Sequence, residues 1–400
     1  MTRYTGKALK CFGVLVCLLA AASHLKASPD TSPVAYVYVS NTPSPSATNY
    51  SPHQVVGYSA DGEGRLAPLP GSPFNQDVGP MAVNGAYLMA AGGTEPVINS
   101  YRILSNGKLA FAAQTNYAEQ NENGCGGAGQ LFFDRTGHSL YVQEYNIDCA
   151  NSGTASYAVD VETGMLSYLG ETITGAQYNN LNPASFIANN VYAYAAGPGG
   201  CFYYQTVAFE RNSNGLLTQM NGEGVLNYPT PPSSFSRYVP YLAAADTRNH
   251  VAMTEIPAKP PDCLGHAVQL GTYTADSNGN LTTASTWENM PITAIVNPFD
   301  LKMAPSGMLL ALSGLEGLEV IHFNGADPIT PYTGLLTRDP INDMFWDNDN
   351  HLYAISQSAN KLHVFTVTLF GYREAPGSPY PITSPDQIIV QPRSVHWLTK

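Results

Sequence analysis

Apolar residues in this chain gather in short unbroken runs and show no helical period. Seven such runs, Ala35–Ser40, Ala86–Ala91, Ser139–Gln143, Val191–Ala195, Val251–Glu255, Met308–Leu312 and Leu352–Ser356, are spaced 44 to 60 residues apart. Runs this short, rich in Tyr, Val, Leu and Ala and bounded by turn residues, predict β-strands. A second strand follows each: Val55–Ser59, Val97–Leu104, Thr154–Asp160, Tyr203–Glu210, Ala267–Thr274, Leu318–Phe323 and Leu362–Thr368. Many units then turn on a glycine into a short strand opening on Leu, as in GEGRLAPL, SNGKLAFA, ETGMLSYL, SNGLLTQM and SNGNLTTA. Asn-Gly and similar pairs supply the positive φ that a tight hairpin requires.

One more strand precedes each apolar run: Gln130–Phe133, Ala184–Ile187, Tyr241–Ala245, Leu301–Ala304, Met344–Trp346 and a degenerate Met81–Val83. The first unit lacks it, and a matching segment stands alone near the C-terminus, Gln387–Val390. Seven four-stranded units, the first completed by the last segment, predict an all-β fold: a seven-bladed β-propeller closed by its own C-terminal strand joining the N-terminal blade. Closure of this kind pairs edges that would otherwise invite aggregation.

Composition adds a compartment and removes some partners. Arg3, Lys7 and Lys10 precede an apolar run from Cys11 to Ala22 and then small residues, the order of a secretory signal peptide. The expected division is a signal peptide at 1–27 and a single propeller domain at 28–400, secreted or periplasmic after cleavage near Ala27 or Ser28. Four of the 18 Lys/Arg and none of the 30 Asp/Glu fall in the first 27 residues, leaving the mature chain at a net charge of −16. That balance argues against nucleic acid as a partner. No other stretch approaches the length of a membrane span, so no membrane insertion is expected. A monomer is expected.

If the strands of a blade run A to D outward from the axis, the D-to-A and B-to-C connections share one face and the A-to-B turns the other. Cys125, Cys149, Cys201 and Cys263 all map to the first face, an even number in an exported chain and so expected disulfides. Cys125–Cys149 and Cys201–Cys263 are preferred over the other two pairings, because these partners lie in the same or adjacent blades. Asp300, Asp343 and Asp386 each stand just before strand A, in the sixth, seventh and first blades, and aim carboxylates at the mouth of the channel. Close carboxylates repel, which raises a pKa or recruits a cation, so these three are also the candidate ligands for Ca²⁺ or another divalent cation. Otherwise each accepts hydrogen bonds from its own turn. Gln130 and Ser185 hold the corresponding places in the third and fourth blades. His138, His250 and His351 repeat at one A-to-B turn position and are expected at the surface, whereas His53 and His266 begin C strands on the loop-rich face. Aromatic residues gather in that face's loops, at Phe202–Tyr204 and at Tyr228, Phe235, Tyr238 and Tyr241.

The strands YVYVSN and HLYAISQ, the Gly-x-Leu hairpins and the closings GSPF and GSPY resemble the YVTN-type and lactonase-type seven-bladed propellers of bacteria. The resemblance spans the whole mature chain and implies the propeller fold; its lactonase branch implies a 6-phosphogluconolactonase-like hydrolase. That branch carries a Pro-x-His segment with an Arg/Glu/His set near the channel mouth, and no Pro-x-His segment occurs in this sequence. Two functions follow as expectations. One is a secreted, non-catalytic module that binds a protein, peptide or glycan through its loop-decorated face. The alternative is a lactonase-like hydrolase with its site at the channel mouth, where one carboxylate acts as general base toward water.

Overall fold

The computed structural model describes residues 32–41, 54–76, 78–92, 97–116, 127–145, 152–174, 181–197, 206–220, 224–259 and 266–393. The segment 1–27 and Cys125, Cys149, Cys201 and Cys263 lie outside them, as do His53 and Phe202–Tyr204. The described residues form seven antiparallel sheets and no helix. Six sheets contain four strands consecutive in sequence, the last with an extra two-residue strand at Tyr380–Pro381. The remaining sheet places Pro385–Pro392 beside Ala35–Asn41, with Tyr38 opposite Ile389 and Val37 opposite Val390. The ring is therefore a seven-bladed β-propeller closed by its C-terminal strand.

The A strands are Pro385–Pro392, Met81–Val83, Gly127–Phe133, Ser185–Phe186, Arg237–Ala245, Pro298–Met303 and Asp343–Trp346, for blades 1 to 7. Most of them lie against the next around the axis, and residues at their entry points line the central channel. Blade 4 differs most from expectation, with an A strand of two residues. Blade 5 breaks register between Pro240 and Ala243, where Leu242 N donates instead to Thr254 Oγ1 at 2.9 Å.

Seven apolar clusters fill the seven gaps between blades. Val37, Val39, Ile388 and Val390 of blade 1, for example, pack on Ile355, Leu362 and Val364 of blade 7. Each B strand is covered on both faces, and Ala35–Ser40, Leu309–Gly314 and His351–Ser356 are buried at every position. This double covering is why the B strands read as continuous apolar runs.

The glycine hairpins are part of the same seams. Gly107, at φ +79°, turns the C–D hairpin of blade 2 against blade 1, and a Cβ there would lie 2.7 Å from Leu69 Cδ2 and 2.8 Å from Tyr36 Cδ1. Its carbonyl accepts the hydroxyl of buried Tyr38 at 2.8 Å. The pattern recurs as Tyr141 to Gly215 at 2.9 Å and Tyr194 to Gly279 at 2.7 Å. Each buried phenol thus delivers apolar area to one seam and a satisfied O–H to the next blade's turn. The GSPF and GSPY closings also have a local task. Ser72 Oγ accepts Gly57 N and Ser378 Oγ accepts Val364 N, both at 2.9 Å, which satisfies C-strand amides beyond the reach of the short D strands.

The histidine reading is corrected at one position and sharpened at another. His138 is exposed and His250 is half-buried, but His351 is 1% exposed. Asp347, itself fully buried, gathers the turn around it: its Oδ1 accepts the N–H of Asp349 and His351, and its Oδ2 accepts Tyr353 Oη–H, all at 2.8 Å. His351 Nδ1 lies 2.8 Å from the same Oδ2, and its ring fills the space above Gly64 at the seam with blade 1. The turn position repeats as expected, but the neighbouring hairpin covers it in the last blade. Asp347→Ala strands these buried donors and is expected to lower stability by about 2–4 kcal/mol. The urea midpoint measures this, and a loss under about 0.5 kcal/mol would show that water replaces the carboxylate.

Candidate functional site at the channel mouth

Because A strands line the channel, residues at their entry points converge on one opening. There Asp300, Asp343 and Asp386 line a single polar cavity of about 280 Å³, together with Gln130, Asn182, Asn342, Gln387, Phe299 and Lys302. Ser185 is not in its wall; blade 4 contributes Asn182 and Pro183 instead. On the opposite face Arg135 ties three blades together, donating to Phe186 O at 2.9 Å and to Asp246 O.

Lys302 is the candidate site residue that sequence reading missed. It stands two residues beyond Asp300 in the same strand, and the period of two places both side chains on the channel side. Its Nζ lies 3.3 Å from Asp300 Oδ1, with 34% of the lysine side chain still exposed. Asp300 Oδ1 also accepts the N–H of Leu301 at 2.8 Å, while its buried Oδ2 has no hydrogen-bond partner among the described residues. Asp343 bridges two blades, accepting Met344 N on Oδ1 and Ile388 N of the closing strand on Oδ2, each at 2.9 Å. Asp386 stands exposed at the rim.

These positions set the electrostatics. Burial in the channel wall pushes the Asp343 carboxyl up to about 7, and the negative charge of Asp300 adds to the shift. Lys302 and the two N–H donors pull the other way and are outweighed. Burial also disfavours the charge on Lys302, but Asp300 and then Asp343 overcome it and hold the ammonium above its ordinary value. Among the described residues no three His, Cys, Asp or Glu side chains gather closely enough to hold a metal ion. The positive charge facing these carboxylates is the lysine ammonium.

The other expected participants lie elsewhere or pack. His266 meets Phe235 edge-on at 5.0 Å and is not in the cavity wall. Tyr238 is buried, with its hydroxyl on Gln269 Oε1 at 2.6 Å, and Tyr228 packs edge-on against Tyr273 at 6.4 Å.

Two carboxyls inside the blades are perturbed without facing the cavity. Glu255 is 0% exposed and accepts the Tyr273 hydroxyl at 2.5 Å; burial pushes it up to about 8 against that hydrogen bond. Burial and then the charge of Glu171 raise Glu144 to about 8 as well. Folded pKa values above the unfolded ones mean that the native state holds extra protons between roughly pH 4.5 and 8. Stability is greatest below that window and declines as pH rises through it. Glu255→Gln, which keeps an acceptor for Tyr273, is expected to flatten the fall in Tm between pH 5 and 8. An unchanged slope would show that Glu255 does not carry it.

No family model matches this chain, and no curated protein matches it. Solved structures do. A candidate 6-phosphogluconolactonase from Bacteroides fragilis superposes with a TM-score of 0.60 at 14% identity, covering 91% of this chain and 99% of that one. A second, from Bacteroides uniformis, has a TM-score of 0.60 at 12% identity, over 89% and 99% of the two chains. A protein from Lactobacillus plantarum has a TM-score of 0.61 at 10% identity, with the same coverage. The likeness is one of fold.

Proposed function

We propose that this protein is an exported hydrolase of small lactones, with its site at the channel mouth. The observation that carries the proposal is Asp343, a carboxyl pushed up to about 7 on the wall of a polar cavity, facing Asp300 and Lys302. A group with that pKa is matched to proton transfer at neutral pH. Asp343 takes a proton from water as the water oxygen bonds to the lactone carbonyl carbon. Lys302 stabilises the oxyanion. The ring C–O bond then breaks, and the alkoxide leaving group takes the proton from Asp343, giving the open hydroxy acid. The fold shared with candidate 6-phosphogluconolactonases supports this reading, as does the N-terminal export pattern.

The test is acid release from glucono-1,5-lactone in a pH-stat, above the spontaneous rate, with and without a chelator. Turnover insensitive to the chelator and lost in Asp343→Asn is expected. If the wild type gives no turnover, the hydrolase reading is wrong. The protein would then be the non-catalytic module that engages a protein or glycan through its loops.

A further inference from the structure

Resting on that reading, we infer that the site takes an uncharged, hydroxyl-rich ring, a sugar lactone bearing no phosphate. The first reason is charge. Three carboxylates line the cavity against one cation, Lys302, and that cation is already paired with Asp300 at 3.3 Å. Among the described residues no arginine is in the wall. Protein sites for phosphate supply several N–H donors or cations converging on its oxygens, and this wall would set its negative charges against a doubly charged ester.

The second reason is what the remaining groups offer. Gln387 Oε1 is committed to Met81 N at 2.7 Å and Asn342 Oδ1 to Gln357 N at 2.9 Å, so each presents its NH₂ end. Asn182 Nδ2 donates to Ala196 O and Tyr241 O, at 3.1 and 2.9 Å, which turns its carbonyl toward the opening. Asp386, exposed at the rim of the cavity, adds a carboxylate acceptor. Amide donors interleaved with carboxylate and amide acceptors fit hydroxyl groups, each of which gives one hydrogen bond and accepts others. Phe299, 41% exposed, offers a ring for the apolar face of a sugar to cover. At about 280 Å³ the cavity falls just below the usual span of small-ligand pockets, about 300–1,000 Å³, and suits a single ring.

The test compares glucono-1,5-lactone with its 6-phosphate ester, at low and at 0.5 M added salt, in wild type and in Asp386→Lys. The wild type is expected to favour the neutral lactone by about 10-fold or more in kcat/KM at low salt, and salt should narrow the gap. Asp386→Lys, at the exposed rim, should narrow it chiefly by raising turnover of the phosphate ester. Equal or better turnover of the ester, or a gap that neither salt nor Asp386→Lys moves, overturns the inference. If neither lactone is hydrolysed, the hydrolase reading fails, and ligand-observed NMR with glucose and glucose 6-phosphate decides the remainder. Binding of glucose alone sustains the charge selection, whereas binding of the phosphate or of neither overturns it.

Discussion

Truncation after Ser384 is expected to abolish cooperative folding. The lost segment contains Pro385–Pro392, the strand that pairs with Ala35–Asn41 and closes the ring. Ile388, Ile389 and Val390 are 4% exposed or less, and burying each is worth about 1.5–3 kcal/mol, a sum comparable with the whole stability of a typical domain, about 5–15 kcal/mol. Partners elsewhere lose their acceptors too. Met81 N donates to Gln387 Oε1 at 2.7 Å and Gly85 N to Gln391 Oε1 at 2.9 Å, so blade 2 is released along with blade 1. Ala35–Asn41 would become an unpaired apolar edge, an aggregation template. The truncated chain should appear in the insoluble fraction, and any soluble part should lack a sharp thermal transition. A soluble monomer melting within a few degrees of the full chain would mean that the seams between blades suffice without closure.

The feature that makes this strand indispensable also made it readable. Gln387–Val390 has the length and apolar content of an A strand but no B strand after it, while the first unit has a B strand with no A before it. The seven B strands were equally plain, because burial on both faces leaves little room for polar positions. What could not be read was pairing between residues distant in sequence. His351 looks like His138 in its own turn, yet its burial is decided by the hairpin around Gly64, which belongs to the blade across the closure. Glu255 ends an apolar run as though at a strand edge, but blade 5 continues three residues further and encloses it. At the channel mouth the carboxylates were legible from repeat position alone, while Lys302 was overlooked although Asp-Leu-Lys carries the period of two that aligns it with Asp300.

Asp343→Asn is expected to lower kcat for lactone hydrolysis by about 10²–10⁴, the usual contribution of a positioned general base. The fold should survive, since the amide oxygen still accepts one of the two N–H groups now held from Met344 and Ile388, and the lost bond at the seam costs about 1 kcal/mol. Against that, the substitution removes a charge that burial and Asp300 make unfavourable. Because the folded pKa of Asp343 lies above its unfolded one, the wild type loses stability as pH rises from about 4 to 7, and the variant should gain on it across that window. In the wild type the rate should climb through pH about 7 as the base ionises. Two neighbours move that limb in opposite directions, which a merely structural role would not produce. Lys302→Met removes a charge that favours ionised Asp343 and shifts the limb toward alkaline pH. Asp300→Asn removes the repelling carboxylate and shifts it toward acid. A limb that stays in place in both variants, or an Asp343→Asn enzyme retaining more than about half its turnover, would remove Asp343 from the role of base.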